Sequence, residues 1–169
     1  MEIEGAEARR RLPELTRLLV DVVDHGGANG FLRPLAPSDA SAYWERRIDD
    51  VEAGRSILLG SLAADGALTG IVILDLAGQQ NGQHRAELTK LMVHSSARRQ
   101  GLGSRLLAEA EAVARARGRW LLVLDTVPGS DAERLYRRDG WVEVGAIPDF
   151  ALLPDGEPAP TIVFYKRLG

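Results

Sequence analysis

Arg98-Arg99-Gln100-Gly101-Leu102-Gly103-Ser104 is the stretch whose residue types and spacing hold the most chemistry. It follows an apolar run ending in Leu91-Met92-Val93, passes His94 to Ala97, and opens an Ala-rich segment of helical period. The first amides of a helix have no internal acceptor, and the helix dipole adds partial positive charge at that end. An anion, and a pyrophosphate above all, is the natural ligand of such a turn. Gly101 and Gly103 carry no Cβ, so a phosphate can approach the main chain closely, while Arg98 and Arg99 can add charge-assisted bonds. A plain strand-to-helix turn with solvated arginines is the simpler alternative. A P-loop is excluded, because no Gly-Lys-Ser/Thr follows the glycines. Asp125 mimics the ribose-binding acid of a dinucleotide site. However, Leu106 stands where that fingerprint wants its last small residue, and only one strand–helix–strand unit is present.

The elements that must position this turn follow from periodicity. Leu12, Leu15, Leu18, Leu19, Val22 and Val23 recur at spacings of three and four, predicting an amphipathic helix that stops at the glycines of His25 to Gly30. Pro37 and Ser38 introduce a second helix, about Asp39 to Ala53, with Ser38 as the expected N-cap. Two apolar runs, Ser56 to Ala63 and Leu68 to Leu76, flank Ala64-Asp65-Gly66 and predict a hairpin. A third strand is expected at Arg85 to Val93, and the Ala-rich helix at Leu102 to Arg117. Leu121 to Leu124 is a continuous apolar run, as in a strand buried on both faces. Ser130 and Glu133 form a capping box for a short helix from Asp131 to about Asp139, closed by Gly140. Trp141 to Ile147 and Thr161 to Lys166 are the last strands, with a Pro/Gly-rich loop from Pro148 to Pro160 between them. The expected fold class is α/β in the α+β sense: a mixed sheet with helices on its faces, in one domain spanning residues 1–169.

Composition excludes several functions. The chain has 169 residues, 45% hydrophobic and 27% charged, with a net charge of −3. No apolar run approaches the ~18 residues of a membrane span, and Glu2, Glu4 and Glu7 do not resemble a signal peptide, so a cytoplasmic protein without a membrane partner is expected. Basic residues are scattered and, apart from Lys90 and Lys166, all arginine; an acidic chain without a basic block is no nucleic-acid binder. Cys is absent, which removes disulfides, thiolate metal sites and cysteine-linked intermediates. His25, His84 and His94 are too dispersed for a metal centre, so no metal is expected. Assembly as a homodimer is compatible with the sequence.

Taken together, the chain resembles the GNAT acetyltransferase superfamily. That family's phosphate motif matches Arg98, Gly101 and Gly103. Its later signature, a Leu-Tyr pair on a short helix followed by Gly and an aromatic, matches Leu135, Tyr136, Gly140 and Trp141. Asn81-Gly82, Arg85-Ala86-Glu87, Lys90-Leu91-Met92-Val93, Leu124-Asp125-Thr126, Gly129-Ser130, Pro154-Asp155-Gly156 and Pro160-Thr161 further resemble the tabtoxin-resistance type, as does His25-Gly26-Gly27-Ala28. The resemblance implies a mostly antiparallel mixed sheet with two splayed parallel strands. It also implies acetyl-coenzyme A as acetyl donor and a small amine or amino-acid-like acceptor, including a toxin or antibiotic in a resistance role. Protein or peptide acetylation and non-catalytic acetyl-coenzyme A sensing are the alternatives.

Backbone groups of Leu91, Met92 and Val93 would then hold the pantetheine arm, and amides of Arg98, Arg99, Gln100, Gly101, Leu102, Gly103 and Ser104 the pyrophosphate. With no Cys and no Gly-x-Ser-x-Gly elbow, direct transfer in a ternary complex is expected. Tyr136 is the candidate general acid toward the leaving thiolate, since a phenol ionises near ~10 and a thiol near ~8.5. Glu87 and Asp125, both at positions matched by the resemblance, are the candidate bases for the amine. The plainer readings are a core tyrosine, a Glu87 paired with Arg85 or Lys90, and an Asp125 capping the following turn. The Gly26–Gly30 loop and the Pro148–Pro160 segment are the candidate borders of the acceptor pocket.

Overall fold

The computed structural model describes all residues from Met1 to Gly169. Ser56–Leu62 (β1) and Leu68–Leu76 (β2) pair antiparallel across a tight turn. Asp65 accepts the amide of Ala67 at 3.0 Å there, and Gly66 takes φ +86°, a conformation that only glycine enters freely. Arg85–Val93 (β3) joins β2 antiparallel, and Leu121–Thr126 (β4) joins β3 in parallel. Pro158–Arg167 (β6) lies beside β4, and Val142–Leu152 (β5) forms the sheet edge, giving the order β1-β2-β3-β4-β6-β5. This is the α+β fold with a mixed, mostly antiparallel sheet that the sequence implies.

The helices cover opposite faces. Gly5–Arg10 (α1), Leu12–Asp24 (α2) and Pro37–Glu52 (α3) pack on one face, where Leu15, Leu18, Leu19, Trp44 and Ile48 meet Leu58, Ile71, Ile73 and Met92. Leu102–Ala116 (α4) and Asp131–Arg138 (α5) take the other, where Leu106, Ala110 and Tyr136 meet Val72, Leu122, Leu124 and Phe164. Each core buries a continuous apolar stripe, the main favourable term in folding. The stripe of Leu15, Leu18, Leu19, Val22 and Val23 in α2 is fully buried, as its spacing requires.

Several local expectations are corrected. The helix expected at the start is preceded by a separate helix, α1; Arg11 breaks the run, with Pro13 in the first turn of α2. Ser38 is not the N-cap of α3: Pro37 already occupies its first turn, so the cap falls at Ala36 and makes no side-chain bond. Leu121–Leu124 is not buried on both faces; Leu122 and Leu124 are buried, while Leu121 and Val123 are half-exposed, because no helix covers their side of β4. The proline-rich segment is mostly strand rather than loop. Pro148 sits within β5 at an edge, where a missing N–H costs nothing, and a register shift between Ile147 and Ala151 absorbs it. The hairpin loop shrinks to residues 153–157, where Leu153 donates to Glu157 O at 2.8 Å.

Candidate active site

β3 and β4 pair only over Arg85–Glu87 with Leu121–Val123, although β3 continues to Val93 and β4 to Thr126. Past Glu87 the two parallel strands separate, and the main chain of β3 from Leu88 to Val93 has no β4 partner on that side. Buried or half-buried backbone amides and carbonyls require hydrogen-bond partners, so this V-shaped gap is a place for an extended, amide-bearing ligand. A bulge shapes its wall. Ile71 faces Met92 and Ile73 faces Thr89, so Lys90 and Leu91 together oppose the single residue Val72. Lys90 takes φ +53°, an uncommon conformation for a residue with a side chain. Nothing in the alternation of Arg85 to Val93 announces this bulge.

The mouth of the gap is the turn singled out from sequence. After β3, a short 3-10 turn at Ser95–Ala97 is capped by His94 and tied to α2, where Asp21 accepts from Ser95 N at 2.8 Å and Ser95 Oγ at 2.7 Å. Arg98 Nε donates to Val93 O at 3.2 Å. Arg99 has φ +61° and Gly101 φ +74°, and the chain then enters α4 with Gly101 as N-cap, making no side-chain cap bond. The first-turn amides of a four-turn helix are therefore presented without a capping side chain. The open space around Gly101, where a Cβ would meet nothing within 4 Å, leaves the main chain approachable from outside. Gly103 also serves the packing of the helices. A Cβ there would sit 3.3 Å from Leu135 Cδ2, so its smallness lets α4 pack closely against α5.

α5 is opened by the expected capping box. Ser130 Oγ accepts from Glu133 N at 3.0 Å, while Glu133 reaches back to Gly129 N at 2.5 Å, one residue earlier than the standard return bond. This helix carries Tyr136 into the core at 4% exposure, with its ring 5.6 Å from Trp141 and 6.3 Å from Phe164. Its hydroxyl enters none of the chain's side-chain hydrogen bonds. Burial, with Asp125 nearby as a like charge on ionisation, pushes the phenol well above its ordinary range.

The carboxylates lie on the face not covered by α4 and α5. Asp125 is solvent-exposed at the end of β4 and accepts Thr161 Oγ1 at 2.7 Å from β6, so it does not cap the following turn. Glu87 pairs in register with Val123 of β4 and Asp75 of β2 and enters no ion pair, contrary to the readings that joined it to Arg85 or Lys90. It keeps solvent access, but desolvation by the surrounding protein, with Asp75 and Asp125 beside it, raises its carboxyl above the usual carboxylate range. Asp75, which sequence reasoning missed, is fully engaged: Arg47 and Ser56 Oγ (2.6 Å) donate to one oxygen and Thr89 Oγ1 (2.9 Å) to the other.

Lys90 was also missed as more than a partner for Glu87. Its ammonium donates to Asn29 O at 2.6 Å and lies 5.9 Å from the Phe31 ring centroid and 5.4 Å from that of Tyr43. Burial and the charge of Arg47 lower its pKa, and burial raises the Tyr43 phenol to about 12. The Gly26–Gly30 loop is thus tied to the bulge of β3. Arg33 N donates to Pro154 O at 2.7 Å, so the same loop also meets the tip of the β5–β6 hairpin. The contact falls at Arg33, just beyond the Gly26–Gly30 stretch, and at Pro154 in the turn of the hairpin.

The acetyltransferase (GNAT) family model matches residues 28–141, two thirds of the chain. The chain belongs to the GNAT acetyltransferase family. Solved structures share its fold. A ribosomal-protein-alanine N-acetyltransferase from Brucella melitensis is 24% identical, with a TM-score of 0.78 over 99% of this chain and 98% of the other. A GNAT acetyltransferase from Streptococcus pneumoniae is 22% identical, with a TM-score of 0.75 over 99% and 98%. A Salmonella typhimurium protein solved with its cofactor acetyl-CoA is 20% identical, with a TM-score of 0.76 over 100% and 92%. This GNAT protein is therefore an acetyltransferase that uses acetyl-CoA. The unpaired edge of β3 and the uncapped amides of α4 are chemically suited to a pantetheine chain and a pyrophosphate respectively.

Proposed function

We propose that this GNAT enzyme transfers acetyl from acetyl-CoA directly to the amine of a small, amino-acid-like acceptor, with Tyr136, Asp125 and Glu87 as the working side chains. The observation that carries the proposal is the three-pair contact of β3 and β4, which opens a gap whose mouth is an uncapped helix N-terminus and whose rim holds two unpaired-with-cation carboxylates. Acetyl-CoA supplies an activated thioester carbonyl and a thiol leaving group. The β3 backbone at Leu91, Met92 and Val93 holds the donor's arm and offers donors to its carbonyl oxygen, while the amides from Arg98 to Ser104, with the two arginines, hold its phosphates.

Glu87 and Asp125 attract the protonated amine and take its proton, directly or through a water. A carboxylate whose pKa is raised is a better base at neutral pH. Tyr136 donates to the departing sulfur. Its raised phenol pKa keeps it protonated but makes full proton transfer to a thiolate uphill, so a charge-assisted hydrogen bond is its main contribution. Once Asp125 has accepted the amine proton, the like charge that disfavours phenolate disappears, and Tyr136 becomes the stronger acid at the step that needs one.

One feature favours a small acceptor over a folded protein surface: the Lys90-tethered loop and the 153–157 turn meet beside the acceptor side, where Arg33 N donates to Pro154 O. Acceptors resembling the β-lactam amino-acid toxin of the tabtoxin-resistance type are the first to test. The test is a panel of amines, amino acids and N-terminal peptides scored for acetyl-CoA consumption. Turnover confined to peptides would replace this reading with protein N-acetylation.

A further inference from the structure

Lys90 is a half-buried cation without a counter-charge. The chain has two lysines, Lys90 and Lys166, and they are used in opposite ways. Lys166 commits its whole ammonium, to both oxygens of Glu111 at 2.7 and 2.8 Å and to Asp139 O at 2.7 Å. Lys90 donates once, to Asn29 O at 2.6 Å, and enters no ion pair. An ammonium has three donors, so two N–H groups of Lys90 find no acceptor in the chain. The rings of Phe31 and Tyr43 steady the charge but supply no anion. The acids nearby do not neutralise it either. Asp75 is taken by Arg47, Ser56 and Thr89, and Asp125 acts on the Lys90 charge from a distance without touching it.

The sheet sets these two charges against each other. Glu87 and Val123 are the last residues of β3 and β4 in register. Continuing that register puts Thr89 level with Asp125 and Lys90 just beyond, on strands that have begun to part. Leu122 and Leu124 turn toward α4, so alternation turns Asp125 to the α1–α3 side of the sheet. Thr89 is on that side too, bonded to Asp75, and simple alternation would send Lys90 to the other. The bulge opposite Val72 prevents this. Its extra residue brings Lys90 round to Asn29, Phe31 and Tyr43, on the same face as Asp125, while Leu91 returns to the α4 core. Re-aiming one side chain is a known use of a bulge beside an active site.

We infer that Lys90 binds the carboxylate of the acceptor while Asp125 receives its amine, so that the enzyme selects free amino acids over their amides, peptide N-termini and simple amines. This deepens the proposed acetyl transfer to a small amine and rests on it. A cation and an anion that face each other across a gap are satisfied together by a zwitterion of opposite polarity. The acceptor carboxylate takes the two vacant N–H groups of Lys90 as charge-assisted bonds, and its ammonium lies against the outward side of Asp125, whose Oδ2 is already held by Thr161. In a peptide or amide the carboxylate is replaced by a neutral carbonyl and an N–H. The N–H meets another donor, and the half-buried ammonium is left short of an acceptor, the kind of loss on which strong discrimination is built. Lys90 thus both tethers the Gly26–Gly30 loop and reads the acceptor.

The test is steady-state kinetics with acetyl-CoA on a set of α-, β- and γ-amino acids, each beside its carboxamide and its decarboxylated amine. For the best amino acid, native kcat/KM should favour the acid over its amide by roughly thirtyfold or more. The amide is the less basic amine, with more of it unprotonated at a given pH, so such a preference does not come from the supply of free amine. Lys90→Met should bring the ratio of acid to amide within about threefold of one, chiefly through a higher KM for the acid. Lys90→Gln, which retains an N–H toward Asn29 O, should show the same collapsed ratio. A lysine that only anchors the loop would make both substrates worse together in Lys90→Met and leave their ratio at the native value. Equal use of acid and amide by the native enzyme, or a native ratio surviving in both variants, overturns the inference and leaves transfer to a small amine standing. Turnover of N-terminal peptides to the exclusion of every amino acid and amine strikes that reading, and this inference with it.

Discussion

Replacing Tyr136 by Phe isolates one hydroxyl. The ring is 4% exposed and packed against Trp141 and Phe164, and Phe keeps all of that contact. The hydroxyl forms no hydrogen bond within the chain, so nothing is orphaned by its removal, and the melting temperature should stay within about 2 °C of native. The Tyr136→Ala variant would by contrast empty a buried site at a cost of about 3–5 kcal/mol, which makes it a poor probe of chemistry. If Tyr136 donates to the departing sulfur, Phe removes one hydrogen bond to a developing charge, worth about 2 kcal/mol, or a roughly 30-fold fall in kcat. Acetyl-CoA affinity should change less than about twofold, because the bond strengthens only as charge builds on sulfur. Steady-state kinetics, with calorimetric titration of acetyl-CoA, separates the two quantities. A kcat within threefold of native at saturating acceptor would refute the role, and a matching loss of cofactor affinity would show a ground-state contact instead.

Glu87→Gln should lower kcat/KM at least tenfold while slightly raising the melting temperature at pH 7. The folded-state pKa of Glu87 lies above its unfolded value, so its ionisation opposes folding above that raised pKa; the gain seen in the Gln variant should shrink as pH falls and vanish below the ordinary glutamate range. Gly101→Ala forces a side chain into φ +74°; a loss of about 1 kcal/mol in stability and roughly tenfold in acetyl-CoA affinity is expected, read by thermal melts with and without ligand. Lys90→Met keeps the aliphatic length but frees Asn29 O and removes the cation between Phe31 and Tyr43. Limited proteolysis should then cut within residues 26–36 several times faster, and intact protection would show that the loop is held by other contacts.

Much of this was visible in the sequence because it depends on short-range physics. The hairpin at Asp65-Gly66, the Ser130–Glu133 cap and the helix opening after Gly101 are each dictated by a few adjacent residues, and the strand bounds at Leu68–Leu76 and Arg85–Val93 follow from apolar runs. The turn from Arg98 to Ser104 and the short helix that carries Tyr136 were legible for the same reason. What escaped depends on partners distant in the chain. Asp75 looked like any strand acid until Arg47, Ser56 and Thr89 surrounded it, and the conformation of Lys90 is imposed by the register of β2. Pro148 suggested a loop because its edge position, which excuses the missing N–H, is a property of the sheet order and not of the neighbouring residues.

The narrow seam between β3 and β4 has a mechanical consequence. Only three residue pairs stitch the β1–β3 side of the sheet to the β4–β6–β5 side, so a bound thioester would act as a removable rung across a half-open zipper. Hydrogen exchange at Leu88 to Val93 and at Leu124 to Thr126 should slow together when acetyl-CoA is added, and leaving of the spent carrier would then be governed by how often that zipper loosens.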